Sequence, residues 1–262
     1  MGKRRKTGTH EWAGKTINLQ TGCERGCLYC YAREMALRFK RIKSGHEWGG
    51  CSPTIYGLDA ATLDRRYPGV VMFPSAHDVT ARNLPYCAHT LSRLLAAGNR
   101  VLAVSKPDVA VWRTLLEDLA PYKSQVELRF TIGGLSPAAY LFWETAAPSF
   151  EERLEALAVA CRGGWRTSVS CEPLLEPWRA AELVAKVRPM AETVWIGAAR
   201  DLRRRTAWCE GAPGLVERIS ELEVWQAPGK MRGIYDALKG DPKVRWKDSY
   251  QAALGLDGPG GV

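Results

Sequence analysis

The chain has 262 residues, 46% of them hydrophobic, which is enough to bury the core of one large α/β domain or of two small ones. No apolar run reaches the roughly eighteen residues of a membrane span, and the basic N-terminus lacks the apolar stretch of a secretory signal. We therefore expect a soluble, cytoplasmic protein. Lysine and arginine total 37 against 28 acidic residues, and the net charge of +9 favours a polyanionic partner such as nucleic acid, although a basic surface also arises without one.

Apolar runs alternate with amphipathic stretches along the chain, a pattern typical of repeated βα units around a parallel sheet. The sequence predicts six strands, at residues 16–20, 69–75, 100–105, 126–132, 165–171 and 193–198. It predicts six helices, in the segments 31–43, 85–98, 109–120, 149–164, 178–188 and 214–223. Ser149, followed three residues later by Glu152, has the pattern of a capping box.

Six strand and helix pairs predict one domain, a parallel barrel or partial barrel over residues 15–250, with functional side chains at the C-terminal ends of the strands. Residues 1–14 are interpreted as a basic N-terminal arm. The segment 44–68 breaks the strand and helix rhythm, and we expect an ordered insertion there. The glycine-rich residues 251–262 are expected to form a flexible tail.

The stretch TGCERGCLYCYAR (21–33) contains three of the eight cysteines, Cys23, Cys27 and Cys30, in a C-x3-C-x2-C spacing directly after the first predicted strand. In a reducing cytosol such a group more often binds a metal or takes part in catalysis than it forms disulfides. Gly22 and Gly26 allow the backbone to fold around a metal site. Three thiolates can bind a [4Fe-4S] cluster and leave one iron open for a small molecule, whereas an electron-carrying cluster usually has four protein ligands.

A structural zinc site is the alternative interpretation of these cysteines. Zinc would need a fourth ligand from elsewhere, such as His46 or Cys51. The usual zinc signature has two paired cysteine motifs and this chain has one triplet, so the sequence favours the iron–sulfur cluster.

The loop GCERGCLYCYA (22–32) resembles the signature of radical S-adenosylmethionine (SAM) enzymes, including an aromatic residue, Tyr29, just before the last cysteine. The resemblance implies a partial (β/α)6 barrel in which SAM chelates the open iron. It also implies that one electron cleaves SAM to methionine and a 5′-deoxyadenosyl radical, which abstracts hydrogen from a substrate. A reducing electron donor of flavodoxin or ferredoxin type would then be a partner.

Further stretches narrow the resemblance to one branch of that superfamily. RFTIGGLSPAAYLFWETAAPSFEERLEAL (129–157) resembles spore photoproduct lyase, in which a fourth strand is followed by an acidic residue, a proline and an amphipathic helix. SVSCEPLLEP (168–177), TVWIGAAR (193–200) and VRWKDS (244–249) are similar to phage-associated radical SAM proteins related to that lyase. The SAM-binding residues that the resemblance implies are Tyr29, Ser75, Ala76, Lys106 and Thr131. Lys106 could instead be a solvated lysine at a strand end, and Thr131 an ordinary strand residue.

The segment PSAHDVT (74–80) ends a buried strand in a polar group of residues. We expect Asp78 to take part in catalysis or binding and His77 to contact the substrate, although a lone histidine is more often structural.

The lyase has a cysteine in this segment that returns hydrogen to its product, and this chain has Ser75 there. A hydroxyl is a poor hydrogen-atom donor, so thymine-dimer repair by the same route is not expected. Cys171, at the end of the fifth predicted strand, could supply a thiol at the barrel mouth, or could be a small apolar residue within the strand.

Charged residues follow the fifth and sixth predicted strands. Glu172 is interpreted as binding the substrate or a ribose hydroxyl of SAM. The stretch ARDLRRR (199–205) is either a solvated surface or a phosphate-binding site, with the candidates Arg200, Arg203, Arg204 and Arg205.

The favoured function is that of a radical SAM enzyme that modifies or repairs a nucleobase or nucleotide in DNA. Two alternatives stay open at this point. One is radical modification of a protein or a small metabolite, and the other is a non-catalytic, metal-stabilised nucleic-acid-binding module.

Overall fold

The computed structural model describes residues 8–50 and 54–256. Residues 1–7 of the predicted basic arm, residues 51–53 with Cys51, and residues 257–262 of the predicted tail lie outside these ranges. The described part of the chain contains nine strands: Lys15–Thr16 (β1), Gln20–Thr21 (β2), Thr54–Ile55 (β3), Val70–Phe73 (β4), Arg100–Ser105 (β5), Val126–Thr131 (β6), Arg166–Cys171 (β7), Thr193–Ile196 (β8) and Val244–Trp246 (β9).

Helices follow most of the strands. Among the described residues the α-helices are Tyr31–Arg38 (α1), Glu47–Gly50 (α2), Ala60–Leu63 (α3), Leu84–Ala96 (α4), Val109–Leu119 (α5), Pro137–Trp143 (α6), Phe150–Arg162 (α7), Ala180–Val187 (α8), Leu202–Thr206 (α9), Leu215–Trp225 (α10), Pro228–Leu238 (α11) and Asp248–Ala253 (α12). Short 3-10 helices lie at Gly8–Glu11, Ala120–Gln125, Pro177–Arg179, Arg188–Met190 and Ala207–Cys209. None of the helices in the described ranges is long and apolar enough to cross a membrane.

Seven of the strands form one sheet in the order β1-β4-β5-β6-β7-β8-β9, and every neighbouring pair in it runs parallel. The strands β2 and β3 form a separate antiparallel pair, which connects the chain before the cysteine loop to the segment 44–68. This arrangement confirms the predicted single α/β domain with a partial parallel barrel.

The first and last strands differ from the sequence predictions. The predicted strand 16–20 is interrupted, because the chain leaves the sheet after the Ile17 backbone N–H donates to the Met72 carbonyl at 3.0 Å. The strand β9 was not predicted, since a run of three residues is too short to show a periodic pattern.

The helix boundaries show which local signals were decisive. The capping box of α7 is present, with the Ser149 N–H donating to Glu152 Oε2 at 2.7 Å and the Glu152 N–H donating to Ser149 Oγ at 3.2 Å. The first predicted helix extends to residue 43, but α1 ends at Arg38, because Lys40 adopts a left-handed φ of 56° that a helix cannot continue through. The predicted tail begins inside α12, so residues 251–253 are helical.

The two faces of the sheet have different chemistry. Side chains alternate along each strand, so that one row of residues packs under the helices and the next points into the barrel. On β6, Phe130 packs edge-on against Trp112 of α5, with 4.8 Å between the ring centroids, whereas Arg129 and Thr131 belong to the inward row. The hydrophobic core therefore lies between the sheet and its helices, and the row that faces the barrel interior includes polar side chains such as Arg129 and Thr131.

Replacing Trp112 by alanine should lower the free energy of unfolding by about 3–5 kcal/mol, because the 1% exposed indole fills the contact between α5 and the sheet. Urea denaturation followed by circular dichroism measures the change. The control is Arg113→Ala, at the exposed neighbouring position of the same helix, which should change stability by less than about 0.5 kcal/mol. Equal stability of the two variants would contradict this description of the core.

Candidate active site

A cavity of about 500 Å³ opens at the C-terminal ends of the parallel strands. It is bounded by the cysteine loop on one side and by the N-terminal 3-10 helix and the loops after β7 and β8 on the other. The predicted site residues that the structure brings together around it are Cys23, Cys27, Tyr29, Cys30, Ser75, Ala76, His77, Asp78, Lys106, Thr131, Glu172, Arg200 and Arg205.

Cys171 is not among the residues that line the cavity. It ends β7 as predicted, but its side chain is fully buried in the hydrophobic core, whereas Ser170 lines the cavity. The expectation that Cys171 faces the barrel mouth is corrected by the alternation of the strand, which turns even-numbered side chains of β7 inward and odd-numbered ones toward the helices.

Two of the four predicted phosphate-binding arginines also lie outside the cavity. Arg203 pairs with Glu223 at the molecular surface, and its side chain is 62% exposed. Arg204 donates to Asp201 at 2.9 Å and lies 3.4 Å from Glu34, with its side chain 57% exposed. Arg203 and Arg204 therefore lie on the outer surface of the short helix α9, whereas Arg205 of the same helix lines the cavity.

Backbone hydrogen bonds hold the cysteine loop on both sides. The Cys23 N–H donates to the carbonyl of Trp48 in α2 at 3.1 Å, and the Leu28 N–H donates to the carbonyl of Trp143 in α6 at 2.9 Å. Gly26 has a φ of 67°, and a Cβ added there would lie 2.4 Å from Thr145 Oγ1. Glycine is therefore required at this position for the loop to reach its conformation.

The thiols of the loop are held in a dry environment. Burial raises the pKa of Cys23 to about 12, with a further contribution from the Asp78 carboxylate. Burial also raises the pKa of Cys27 strongly. Both thiols are therefore protonated at neutral pH unless a bound metal removes their protons.

The two metal interpretations require different arrangements of the ligands. Within the described ranges, no three His, Cys, Asp or Glu side chains form a group that could hold a metal ion. A [4Fe-4S] cluster binds each thiolate to a different iron, so its three cysteines need not converge on one point. His46, one of the predicted zinc ligands, instead packs edge-on against Trp208 with 5.4 Å between the ring centroids.

Arg33 provides a test of whether an anionic group fits at the loop. It is 2% exposed, its guanidinium lies 3.8 Å from the centre of the Trp208 ring, and its Nε and Nη1 atoms have no hydrogen-bond partner. Burial lowers the pKa of Arg33, and negative charge on the cysteines nearby would act in the opposite direction. Buried donors without partners are rare, so this uncompensated cation fits a negatively charged cluster on the three cysteines.

An ion pair lies on the cavity side of the cysteine loop. Lys106 Nζ is 3.6 Å from Asp78 Oδ2, and Asp78 Oδ1 accepts hydrogen bonds from Ser105 Oγ at 2.9 Å and from the Lys106 N–H at 2.8 Å. Burial alone would raise the pKa of Asp78, but Lys106 and Arg25 lower it by more. Burial would lower the pKa of Lys106, but Asp78 and Cys27 raise it by more. Both groups therefore stay charged at neutral pH.

Asn18 is a site residue that the sequence did not reveal. Its Oδ1 accepts the backbone N–H groups of Ser75 and Ala76 at 2.7 and 2.8 Å, and its Nδ2 donates to Ser75 Oγ at 3.1 Å. It fixes the turn after β4 that carries the predicted SAM-binding residues. The prediction of a continuous strand over 16–20 concealed it, because a polar residue inside a strand gives no signal of a strand end.

A buried network joins the cysteine loop to the end of β6. The Tyr29 hydroxyl donates to Glu144, and the other oxygen of Glu144 pairs with Arg153 of α7. Arg153 also donates from Nε to the Pro148 carbonyl at 2.8 Å and from Nη1 to the Thr131 carbonyl at 3.0 Å. The acidic residue and proline noted in the stretch 129–157 were the signals that could have identified Glu144 and its neighbours.

His77 lines the cavity, but both of its ring nitrogens are bound to the backbone. The Leu19 N–H donates to Nε2 at 3.2 Å, so Nδ1 carries the proton and donates to the Asp78 carbonyl at 3.1 Å. Burial lowers the pKa of His77 to about 4. The side chain is therefore a neutral brace between two loops, which corresponds to the structural alternative for this residue.

The opposite end of the cavity is organised by Lys247, which no sequence pattern indicates. Its ammonium group is 1% exposed, lies 3.8 Å from the Trp12 ring centre, pairs with Glu11, and donates to the Gly8 carbonyl at 3.2 Å. Glu172 Oε2 lies 3.6 Å from the same nitrogen. Burial raises the pKa of Glu172, and Lys247 opposes that shift. Residues 8–12, assigned to the basic arm, thus form one wall of the cavity.

Sequence relatives of the chain are distant. No protein-family model matches it. An uncharacterised protein of Acidianus two-tailed virus is 29% identical over 183 residues, which cover 64% of this chain and 58% of the viral protein. The match therefore spans less than two thirds of the relative's length.

Solved structures share the fold. Spore photoproduct lyase in complex with dinucleoside spore photoproduct has a TM-score of 0.55 at 16% identity, covering 88% of this chain and 75% of the lyase, and a further lyase mutant with bound AdoMet gives the same values. SuiB of Streptococcus suis bound to precursor peptide SuiA has a TM-score of 0.55 at 8% identity, covering 92% of this chain and 50% of SuiB. At these identities the likeness establishes the fold alone, a mostly parallel α/β sheet of the kind that these solved structures share.

The neutral His77 makes the stability of the protein dependent on pH. An ordinary histidine has a pKa near 6.5, so between about pH 6.5 and pH 4 the unfolded chain binds a proton at this residue that the folded protein does not. The stabilising contribution is complete above pH 6.5 and should fall by roughly 3 kcal/mol as the pH drops to 4.

Urea denaturation at several pH values measures this effect. The His77→Gln variant should show a shallower dependence of unfolding free energy on pH in this window than the wild-type protein. His89→Gln, at an exposed position on α4, is the control and should keep the wild-type slope. Parallel curves for the wild type and His77→Gln would refute a neutral, buried His77.

Proposed function

We propose that this protein is a radical SAM enzyme in which Cys23, Cys27 and Cys30 bind a [4Fe-4S] cluster and SAM occupies the cavity beside them. The observation that carries the proposal is that three thiols line the cavity at the strand ends, while a buried and uncompensated cation, Arg33, lies on the other side of their loop. When bound, the cluster would supply one electron for breaking a carbon–sulfur bond of SAM, which would release methionine and provide the hydrogen-abstracting radical. A reduced protein of the flavodoxin or ferredoxin type is the proposed source of that electron.

The cavity side of the loop offers polar groups for SAM. Lys106 has ammonium hydrogens that its pairing with Asp78 does not use, and these can bind the methionine carboxylate. Ser75, whose hydroxyl accepts from Asn18, keeps its own proton to donate. Thr131 adds a hydroxyl at the end of β6. Tyr29 and Ala76 complete the proposed SAM-binding set, with Tyr29 held in place by its hydrogen bond to Glu144.

The proposed substrate is a nucleobase or nucleotide in DNA, bound at the end of the cavity away from the cysteines. Arg200 and Arg205 line the cavity, and the Nε of Arg205 is buried without a hydrogen-bond partner. A guanidinium with free N–H groups at a cavity rim suits a phosphate oxygen. Glu172 and Asp248 line the same end and can accept hydrogen bonds from a base. The positive net charge of +9 supports a polyanionic substrate.

No catalytic part is proposed for two candidate residues whose side chains are engaged elsewhere. Cys171 lacks access to the cavity, and His77 uses both ring nitrogens in backbone contacts. Asp78 faces the cavity as a charged carboxylate paired with Lys106, which suits binding and positioning. The proposal therefore gives Cys171 of β7 no part in returning hydrogen to a product radical.

Anaerobically reconstituted protein should form 5′-deoxyadenosine from SAM when dithionite is added, and liquid chromatography with mass spectrometry measures this product. Cys27→Ala should lose the product by at least about a hundredfold, together with bound iron and sulfide, because the cluster loses one of three ligands. Cys161→Ala, on α7 and away from the cavity, is the matched control and should behave as the wild type. Reconstituted wild-type protein that forms no 5′-deoxyadenosine would point to the non-catalytic module instead.

The position of the arginines predicts which of them bind DNA. Arg205→Gln should lower the affinity for DNA and reduce the slope of log affinity against log salt by about one unit, as expected on loss of one phosphate contact. Arg203→Gln, which removes an exposed arginine already paired with Glu223, should leave both quantities near the wild-type values. Fluorescence anisotropy at several salt concentrations makes the comparison. The proposed orientation of the substrate fails if Arg203→Gln has the larger effect.

A further inference from the structure

Arg33 lies three residues after the last cysteine of the loop, on α1. Ala32 lines the cavity and Arg33 does not, so the guanidinium lies on the side of the loop that faces away from SAM and substrate. The Trp208 ring covers it, and Trp208 is fixed by a hydrogen bond of 3.1 Å from its Nε1 to the Leu28 carbonyl. Any influence of Arg33 on the reaction must therefore pass through the cysteine loop.

The charge of Arg33 has no carboxylate partner among the described residues. Two other buried cations near the loop differ in this respect, because Lys106 pairs with Asp78, and Arg25 also lies close enough to lower the pKa of that carboxylate. A buried charge without a counter-charge is strongly unfavourable. Arg33 lies beside the cysteine loop, since a Cβ added at Gly49 would be 3.1 Å from the Cys23 carbonyl oxygen and 4.0 Å from Arg33 Nη2.

We propose that Arg33 is the counter-ion of the iron–sulfur cluster and that its charge raises the cluster's reduction potential; the inference rests on the proposed function. Reduction adds one negative charge to a cluster that its thiolates already make anionic. A positive charge held in a region of low dielectric stabilises the reduced form more than the oxidised form. Trp208 strengthens this effect, since its ring replaces water over one face of the guanidinium. Arg33 is thus a positioning and tuning residue that touches neither SAM nor substrate.

The test is a redox titration of the full-length, reconstituted protein without SAM. Electron paramagnetic resonance measures the amount of reduced cluster at each potential. The iron and sulfide content of each sample is determined as well. In Arg33→Met the ratio of reduced to oxidised cluster at a fixed potential should fall about tenfold, which equals a shift of about 59 mV for a one-electron couple. Arg33→Lys keeps the charge and should restore most of the wild-type potential.

Arg204→Met is the matched control. Arg204 lies on α9 and pairs with Glu34 of α1, the helix that carries Arg33, but its side chain is 57% exposed, so water screens its charge. Its potential should equal that of the wild type. Loss of the cluster from Arg33→Met with retention in Arg33→Lys would also support the counter-ion role. An unchanged potential in Arg33→Met, or loss of the cluster from both Arg33 variants, would overturn it. A wild-type protein that takes up no cluster would overturn the proposed function itself, and this inference with it.

Discussion

The buried ion pair between Glu144 and Arg153 fixes the geometry on which the proposed active site depends. Both side chains are inaccessible to solvent, and their hydrogen bonds reach three separate parts of the chain. Arg153 binds the end of β6 through the Thr131 carbonyl, and Glu144 binds the cysteine loop through the Tyr29 hydroxyl. Removing either partner would leave an uncompensated buried charge, so this contact specifies where the loop sits relative to the sheet.

Buried charged side chains lie on both sides of the cysteine loop. On the inner side, Asp78 and Lys106 form a pair whose net charge is zero, close to the position proposed for SAM. On the outer side, Arg33 is held against Trp208 without a carboxylate partner among the residues described. The positive charge that remains is therefore on the protein side of the proposed cluster, where it can act on the cluster's charge without competing for SAM.

The distal end of the cavity shows how a short N-terminal segment becomes part of the site. Lys247 connects this segment, through Glu11 and the Gly8 carbonyl, to Glu172 after β7. Since Trp12 lies under the same ammonium group, the segment forms a wall of the cavity rather than a free arm. The residues that line this end of the cavity thus come from distant parts of the chain.

The sequence by itself determined the fold and the cysteine loop, because both have local signatures. Alternating apolar and amphipathic segments predict a βα series, and the spacing of Cys23, Cys27 and Cys30 with its glycines resembles one superfamily. Side chains that follow the C-terminal ends of parallel strands are also predicted to meet at one edge of the sheet, and Asp78 and Lys106 do line one cavity. These inferences need only residues that are adjacent in sequence and the rule that functional side chains lie at the C-terminal ends of parallel strands.

Only the tertiary structure decided what each polar side chain does there. A shift of one residue along β7 separates the inward Ser170 from the buried Cys171, and a pattern with period two does not state which of its rows faces the helices. The arginines of α9 differ in exposure for a similar reason, because side chains on a helix point in different directions around its axis. Lys247 and Arg33 had no sequence signal, because what distinguishes them is the presence or absence of partners far away in the chain. Burial and pairing are properties of the folded molecule, and they decide the charge that a side chain presents to the site.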